Sequence, residues 1–267
     1  MMEKIQRIRC SEVELEYLLT GQENGETLML MHGAGANLRQ FIPQHQYFSK
    51  NYRVLSVSLR GHGESSNPRI CHASQYTLEK HRDDLLEVLH HLKIDSLHYV
   101  GNSAGGMIGF ELIQAMPSLF KSLVTFGTAP ELRFSKLTTY LIAKTDQMML
   151  KINPTEYCRF ISKYSSQYEA VRQELFAQFS MAIEAIPYIR RNLGNYTYLK
   201  TLENIQIPYL LIQGETDHDI NKNLSSALNI IEKNENTSVI KLDKAGHIAN
   251  LDQPESFNKI IETFINQ

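Results

Sequence analysis

The 267-residue chain has no tryptophan and only three cysteines. Cys10, Cys71 and Cys158 lie far apart and form no C-x-x-C pair, so neither a disulfide framework nor a zinc site is indicated, and reduced thiols in a cytoplasmic protein are expected. No apolar run approaches the roughly 20 residues that span a bilayer. The N-terminus, "MMEKIQRIRCSEVELEYLLTG", alternates charged and apolar residues and lacks the continuous apolar stretch of a secretory signal. Neither sign of charge dominates: 27 basic against 29 acidic residues give a net charge of -2, which disfavours nucleic acid and anionic membrane as partners. Repeats, low-complexity tracts and metal-ligand motifs are also missing. No metal or cofactor is expected.

What is present is a rhythm of short buried runs and amphipathic stretches. Residues 12–19, "EVELEYLL", alternate with the period of a strand, and "TLMLMHG" (27–33) and "YRVLSVSLRGHG" (52–63) read as buried strands ending at glycines. "YTLEKHRDDLLEVLHHL" (76–92) carries leucines at 78, 85, 89 and 92, the 3.6-residue period of a helix. "SLHYVG" (96–101), "KSLVTFG" (121–127), "PYLLIQG" (208–214) and "TSVIKLD" (237–243) predict further strands, with helices near 220–233 and 254–265. Buried runs alternating with helices predict an α/β protein, a mostly parallel twisted sheet with helices on both faces. In such sheets the functional loops lie beyond the carboxyl ends of the strands.

Residues 131–197 break the rhythm. They contain long helical stretches such as "YEAVRQELFAQFSMAIEAI" (168–186), seven tyrosines once Tyr198 beside the segment is included, and no strand-like run. The segment is therefore expected to be a helical cap inserted over the carboxyl edge of the sheet, leaving 1–130 and 198–267 as the core. Ordinary crossover helices are the competing reading.

"GNSAG" (101–105) fits G-x-S-x-G, a weak signal alone. Its setting is more specific: a buried strand precedes it and the Gly-rich apolar stretch "AGGMIGFELIQAM" follows, the strand-turn-helix context of a nucleophile elbow. A helix start also offers free N–H groups and a positive dipole end to a developing oxyanion. The alternative is that Ser103 merely caps the helix, a role serine suits. A nucleophilic serine requires a base and an acid that orients it. His247, in "DKAGHIANLDQP" after the last predicted strand, is placed for the first role, whereas His90, His91 and His218 read as solvent-facing. Asp217 follows the glycine ending a strand in "LLIQGETDHD" and is the favoured acid; Asp219 competes, with an N-cap role before the next helix as its other reading.

With these motifs in order, "HGAGAN" (32–37), "RGHGESS" (60–66), "GNSAGG" (101–106), "GETD" (214–217) and "AGH" (245–247), the chain resembles a serine hydrolase of the α/β-hydrolase fold superfamily with a helical cap. The resemblance covers essentially the whole chain and includes the order Ser, Asp, His. It implies that Ser103 attacks, His247 transfers the proton and Asp217 fixes the imidazole, with the backbone N–H groups of Ala34 and Ala104 as the oxyanion hole. His32 and His62 are given structural roles only. The chain departs from the pattern at Asn102, where many relatives carry histidine, and at Asn221, where many carry proline. The second departure keeps Glu131 as a distant candidate acid.

A serine nucleophile with a histidine base suits acyl transfer, and disfavours the relatives that attack an sp³ carbon with aspartate. The absence of tryptophan also disfavours dehalogenation. A small or medium, partly apolar ester, thioester or lactone is the expected substrate, in a pocket lined by Met107, Met148, Met149, Phe176, Phe179 and Met181. A C–C bond hydrolase of the same fold and a triad-bearing small-molecule receptor with slow turnover are the alternatives.

Overall fold

The predicted apolar runs pair as the interior of an eight-stranded sheet in a computed structural model of the chain, which describes residues 4–267. In chain order the strands are β1 (Gln6–Arg9), β2 (Glu14–Gly21), β3 (Thr27–Met31), β4 (Arg53–Val57), β5 (Leu97–Asn102), β6 (Phe120–Phe126), β7 (Glu131–Arg133), β8 (Asn195–Thr197), β9 (Tyr209–Gly214) and β10 (Thr237–Leu242). The large sheet has the order β1-β2-β4-β3-β5-β6-β9-β10. From β4 to β10 every pairing is parallel, while β1 and β2 join antiparallel at one edge. Alternate residues feed two cores. Met29, Met31, Tyr99 and Leu123 pack with Leu85, Val88 and Ile108 from the helices Leu78–His91 and Ala104–Ala115. Leu28, Leu30, Val100 and Val124 pack on the other face with Phe41, Phe257 and Ile261. Burial on both faces is why these strands read as continuous apolar runs.

Several boundaries differ from the sequence reading. β2 is not half-exposed: Leu15, Glu16, Tyr17 and Leu18 are all buried, because the strand lies between β1 and β4. Glu16 is accommodated there by Arg39 and Ser58, whose Nη1 and Oγ donate to its Oε1 at 2.9 and 2.7 Å. The 168–186 stretch is a helix only over Glu169–Ser180; a turn then leads to a second helix, Ile186–Arg190. The 220–233 segment likewise splits into His218–Asn221 and Ser225–Ile231.

Residues 131–197 are not free of strand. β7 and β8 pair antiparallel, Glu131 with Thr197 and Arg133 with Asn195, and so close the segment at its base. Three-residue strands are too short to show alternation, which is why the sequence pattern concealed them. Between them lie the helices Lys136–Ile152, Pro154–Ser165, Glu169–Ser180 and Ile186–Arg190. Their shared core of Leu150, Tyr157, Val171, Leu175 and Phe179 extends onto Ala36, Ile248 and Leu251 of the loops at the carboxyl edge of the sheet. Among the described residues, no helix is long and apolar enough to cross a membrane.

Candidate active site

β5 ends in a sharp turn at Ser103, whose φ of 50° and ψ of -117° put a non-glycine residue in a strained region, at a cost of about 1–3 kcal/mol. The turn is possible because its flanks are glycines. A Cβ on Gly101 would lie 2.6 Å from the Gly105 backbone, and one on Gly105 only 2.4 Å from the Met31 carbonyl oxygen. Ser103 precedes the helix Ala104–Ala115, but its side chain makes no capping hydrogen bond. A cap role therefore does not explain it. As the first residue of the helix, Ala104 has an N–H with no intrahelical acceptor.

The β9 loop carries Asp217 and the β10 loop carries His247. Asp217 is 7% exposed, and the imidazole Nδ1 donates to its Oδ2 at 2.9 Å, leaving Nε2 as an acceptor. Asp219 does not compete: its carboxylate is exposed and meets Lys222 Nζ at 2.6 Å. Glu131 is paired with Arg133 in β7. The turn that holds Asp217 is closed by Asn221, whose Nδ2 donates to the Gly214 carbonyl at 2.8 Å. Burial pulls the His247 pKa down, but the charge and hydrogen bond of Asp217, with the charges of Asp219 and Asp252, outweigh it and raise the pKa above the ordinary histidine value.

Ser103, Asp217 and His247 line one cavity of about 400 Å³ together with Gly33, Ala34 and Asn102. Among the described residues, Ser103 Oγ and His247 form no hydrogen bond, and the imidazole's one side-chain partner is Asp217. A wider depression, about 960 Å³, lies between Ile8, Leu89, Ile94 and Met116. It borders the segments that lead into β5 and β6, the amino ends of the strands, and is not placed for chemistry.

Of the six residues expected to line the pocket, only Phe179 does. Met107 is buried in the core on the inner side of its own helix, Ala104–Ala115, Met148 and Met181 face outwards, Met149 packs within residues 131–197, and Phe176 borders a separate depression beside Arg159. Helix phase is the reason: Tyr157, Phe160, Ile161 and Tyr164 of the helix Pro154–Ser165 turn towards Ser103 instead, joined by Ile186, Arg190 and Leu193. His32 and His62 are fully buried, with pKa values lowered to about 3 and about 4, mainly by burial. His32 donates from Nδ1 to the Gly33 carbonyl and accepts the Leu59 N–H at Nε2, bracing two loops. His90, His91 and His218 are exposed, as their settings predict.

Sequence reasoning missed two supports. Asn102 Nδ2 donates to the His247 carbonyl at 2.9 Å and Gln40 Nε2 donates to Asn102 Oδ1 at 3.2 Å. From there a chain of buried neutral amides runs through Asn250 and Gln44 to Asn258, tying the serine turn to the histidine loop and the C-terminal helix. Asp252 is the second: its Oδ2 accepts the Gly246 N–H at 2.7 Å and its Oδ1 accepts from Ser166 of the insertion. An asparagine before the serine and an aspartate five residues after the histidine were the only local signals.

Residues 26–254 match the model of the alpha/beta hydrolase fold family. The chain belongs to that family. This alpha/beta hydrolase is an enzyme of the hydrolase class, and its mostly parallel sheet is that of its family. It is 27% identical, over 97% of its length and 96% of the relative's, to 3-oxoadipate enol-lactonase 2 of Acinetobacter baylyi. It is 24% identical, over 91% and 92%, to (E)-2-((N-methylformamido)methylene)succinate hydrolase of the same organism. Among solved structures, the enol-lactonase from Burkholderia xenovorans LB400 superposes with a TM-score of 0.84 at 20% identity, covering 98% of this chain and 100% of the other.

Proposed function

We propose that this alpha/beta hydrolase cleaves small or medium, partly apolar esters or lactones through an acyl-enzyme, with Ser103 as nucleophile, His247 as base and Asp217 as the acid that orients it. The observation that carries this reading is the Asp217–His247 hydrogen bond opening onto the same cavity as the strained, uncapped Ser103. Nδ1–H held on Asp217 leaves Nε2 free to take the Ser103 proton as Oγ attacks the carbonyl carbon. The tetrahedral oxyanion is received by the N–H groups of Ala104 and Ala34, the latter in a residue that also lines the cavity. Collapse expels the alcohol, protonated by His247; water activated by the same imidazole then releases the acid and restores Ser103. Residues 131–197 serve as a cap whose inner residues exclude water. Names of relatives that specify a lactone and a substituted succinate accord with acyl chemistry on small molecules.

The test is hydrolysis of p-nitrophenyl acetate and butyrate by wild type and Ser103→Ala, together with fluorophosphonate labelling. Ser103-dependent turnover, and labelling lost in both Ser103→Ala and His247→Ala, is expected. Turnover that survives in Ser103→Ala would overturn the assignment.

A further inference from the structure

The cavity that holds Ser103 has a single lysine or arginine among its described lining residues, and it comes from the insertion. Arg190 ends the helix Ile186–Arg190, and its Nη1 donates to Asp146 Oδ1 at 3.0 Å and to the Tyr157 hydroxyl oxygen at 3.1 Å. Asp146 and Tyr157 are buried, so the guanidinium is held by fixed partners while its own side chain stays 38% exposed. Both contacts use Nη1. The edge formed by Nε and Nη2 keeps three N–H donors, the fork that binds a carboxylate in bidentate fashion. Much of the same cavity wall is apolar, with Phe160, Ile161, Phe179, Ile186 and Leu193. An anion enters such a wall only against a paired cation.

Two acids, Asp217 and Asp219, share the cavity, and each has a partner of its own. Asp217 is engaged with His247 and Asp219 with Lys222, and both also border a neighbouring opening that Arg190 and Tyr157 do not reach. Resting on the hydrolase reading above, we propose that Arg190 is the specificity determinant of this site and receives a carboxylate carried by the substrate. The preferred substrates are then esters or lactones bearing a free carboxylic acid. A monoanion fits better than a phosphate dianion because Asp146 already neutralises part of the arginine charge.

The matched probes are the mono-p-nitrophenyl esters of glutaric and adipic acid and their methyl-capped, uncharged counterparts. The readout is the ratio of kcat/KM between charged and uncharged esters, which cancels any loss of folded enzyme. Wild type is expected to favour the charged esters, and Arg190→Gln to lower the ratio by about 10- to 100-fold, the range of a charge-assisted pair. Asp146→Asn is expected to raise the ratio by freeing the guanidinium, whereas a purely structural Arg190–Asp146 pair would make both variants lose both esters alike. A ratio unchanged in Arg190→Gln would overturn the proposal while leaving Ser103-dependent hydrolysis intact. Calorimetric titration of glutarate into Ser103→Ala and Ser103→Ala/Arg190→Gln decides the carboxylate site without turnover: binding that requires Arg190 supports it, and the absence of Arg190-dependent binding overturns it.

Discussion

The sheet-side wall of the cavity and the wall supplied by residues 131–197 are built differently. Beneath Ser103, Asn102, Gln40, Gln44, Asn250 and Asn258 are each buried to 4% exposure or less and bonded to one another, with Gln40 Oε1 left without a partner. In the segment 131–197 the cavity-lining Phe160 and Tyr164 are at least 50% exposed, as are Leu137, Leu141, Met148 and Ile152 outside the cavity. Its attachments to the sheet side include polar links such as Gln178 to the Asn37 N–H, Tyr168 to the Lys244 carbonyl and Ser166 to Asp252. The first wall fixes the backbone of the serine turn and the histidine loop through buried hydrogen bonds; the second presents side chains to the cavity. A buried neutral network suits the first task because it orients groups without adding charge beside Ser103.

The contrast is open to direct tests. Asp217→Asn is expected to lower kcat by roughly 10³- to 10⁴-fold in ester hydrolysis, since the imidazole loses the partner that fixes its tautomer. In wild type the acid limb of kcat/KM should fall at a pH above the ordinary histidine value of about 6.5. The sign follows from the raised pKa of His247: the imidazole stays protonated, and useless as a base, to a higher pH. Loss of the Asp217 charge should move that limb to lower pH, and a limb that stays in place would remove Asp217 from the pair.

Asn102→Ala should cost about 1–3 kcal/mol in denaturant unfolding, because Gln40 and the His247 carbonyl lose their partner, and should lower kcat/KM with it. An equal loss of stability without a loss of activity would make the amide chain a matter of folding alone. Smallest of all, Leu137→Ser and Ile152→Ser on the exposed face of the insertion should change stability by no more than about 0.5 kcal/mol, against about 2–5 kcal/mol for Leu123→Ala in the sheet core. A large loss at Leu137 or Ile152 would show that this face is covered in solution.

Most of the sheet was legible because each strand is its own pattern. "TLMLM" and "YLLIQG" announce themselves as buried runs ended by glycine, whereas β1, β7 and β8, of three or four residues, carry too little pattern to be seen. In the insertion, helices were legible but their facing was not. Met148 and Tyr157 are both amphipathic-helix residues, and only packing decided that Tyr157 turns inwards.

The sequence by itself determined the order of the longer strands and the helices between them, the glycines that let Ser103 adopt a positive φ, and the strand ends at which Asp217 and His247 stand. These depend on neighbours a few positions away, which hydrophobic period and backbone sterics govern. Only the tertiary structure decided that Asp217 rather than Asp219 meets His247, that Asn102 reaches across 145 positions to the His247 carbonyl, and that Arg190 faces the cavity. Those contacts join residues far apart in the chain, and whether two such side chains meet is set by how helices and loops pack, which no local pattern records.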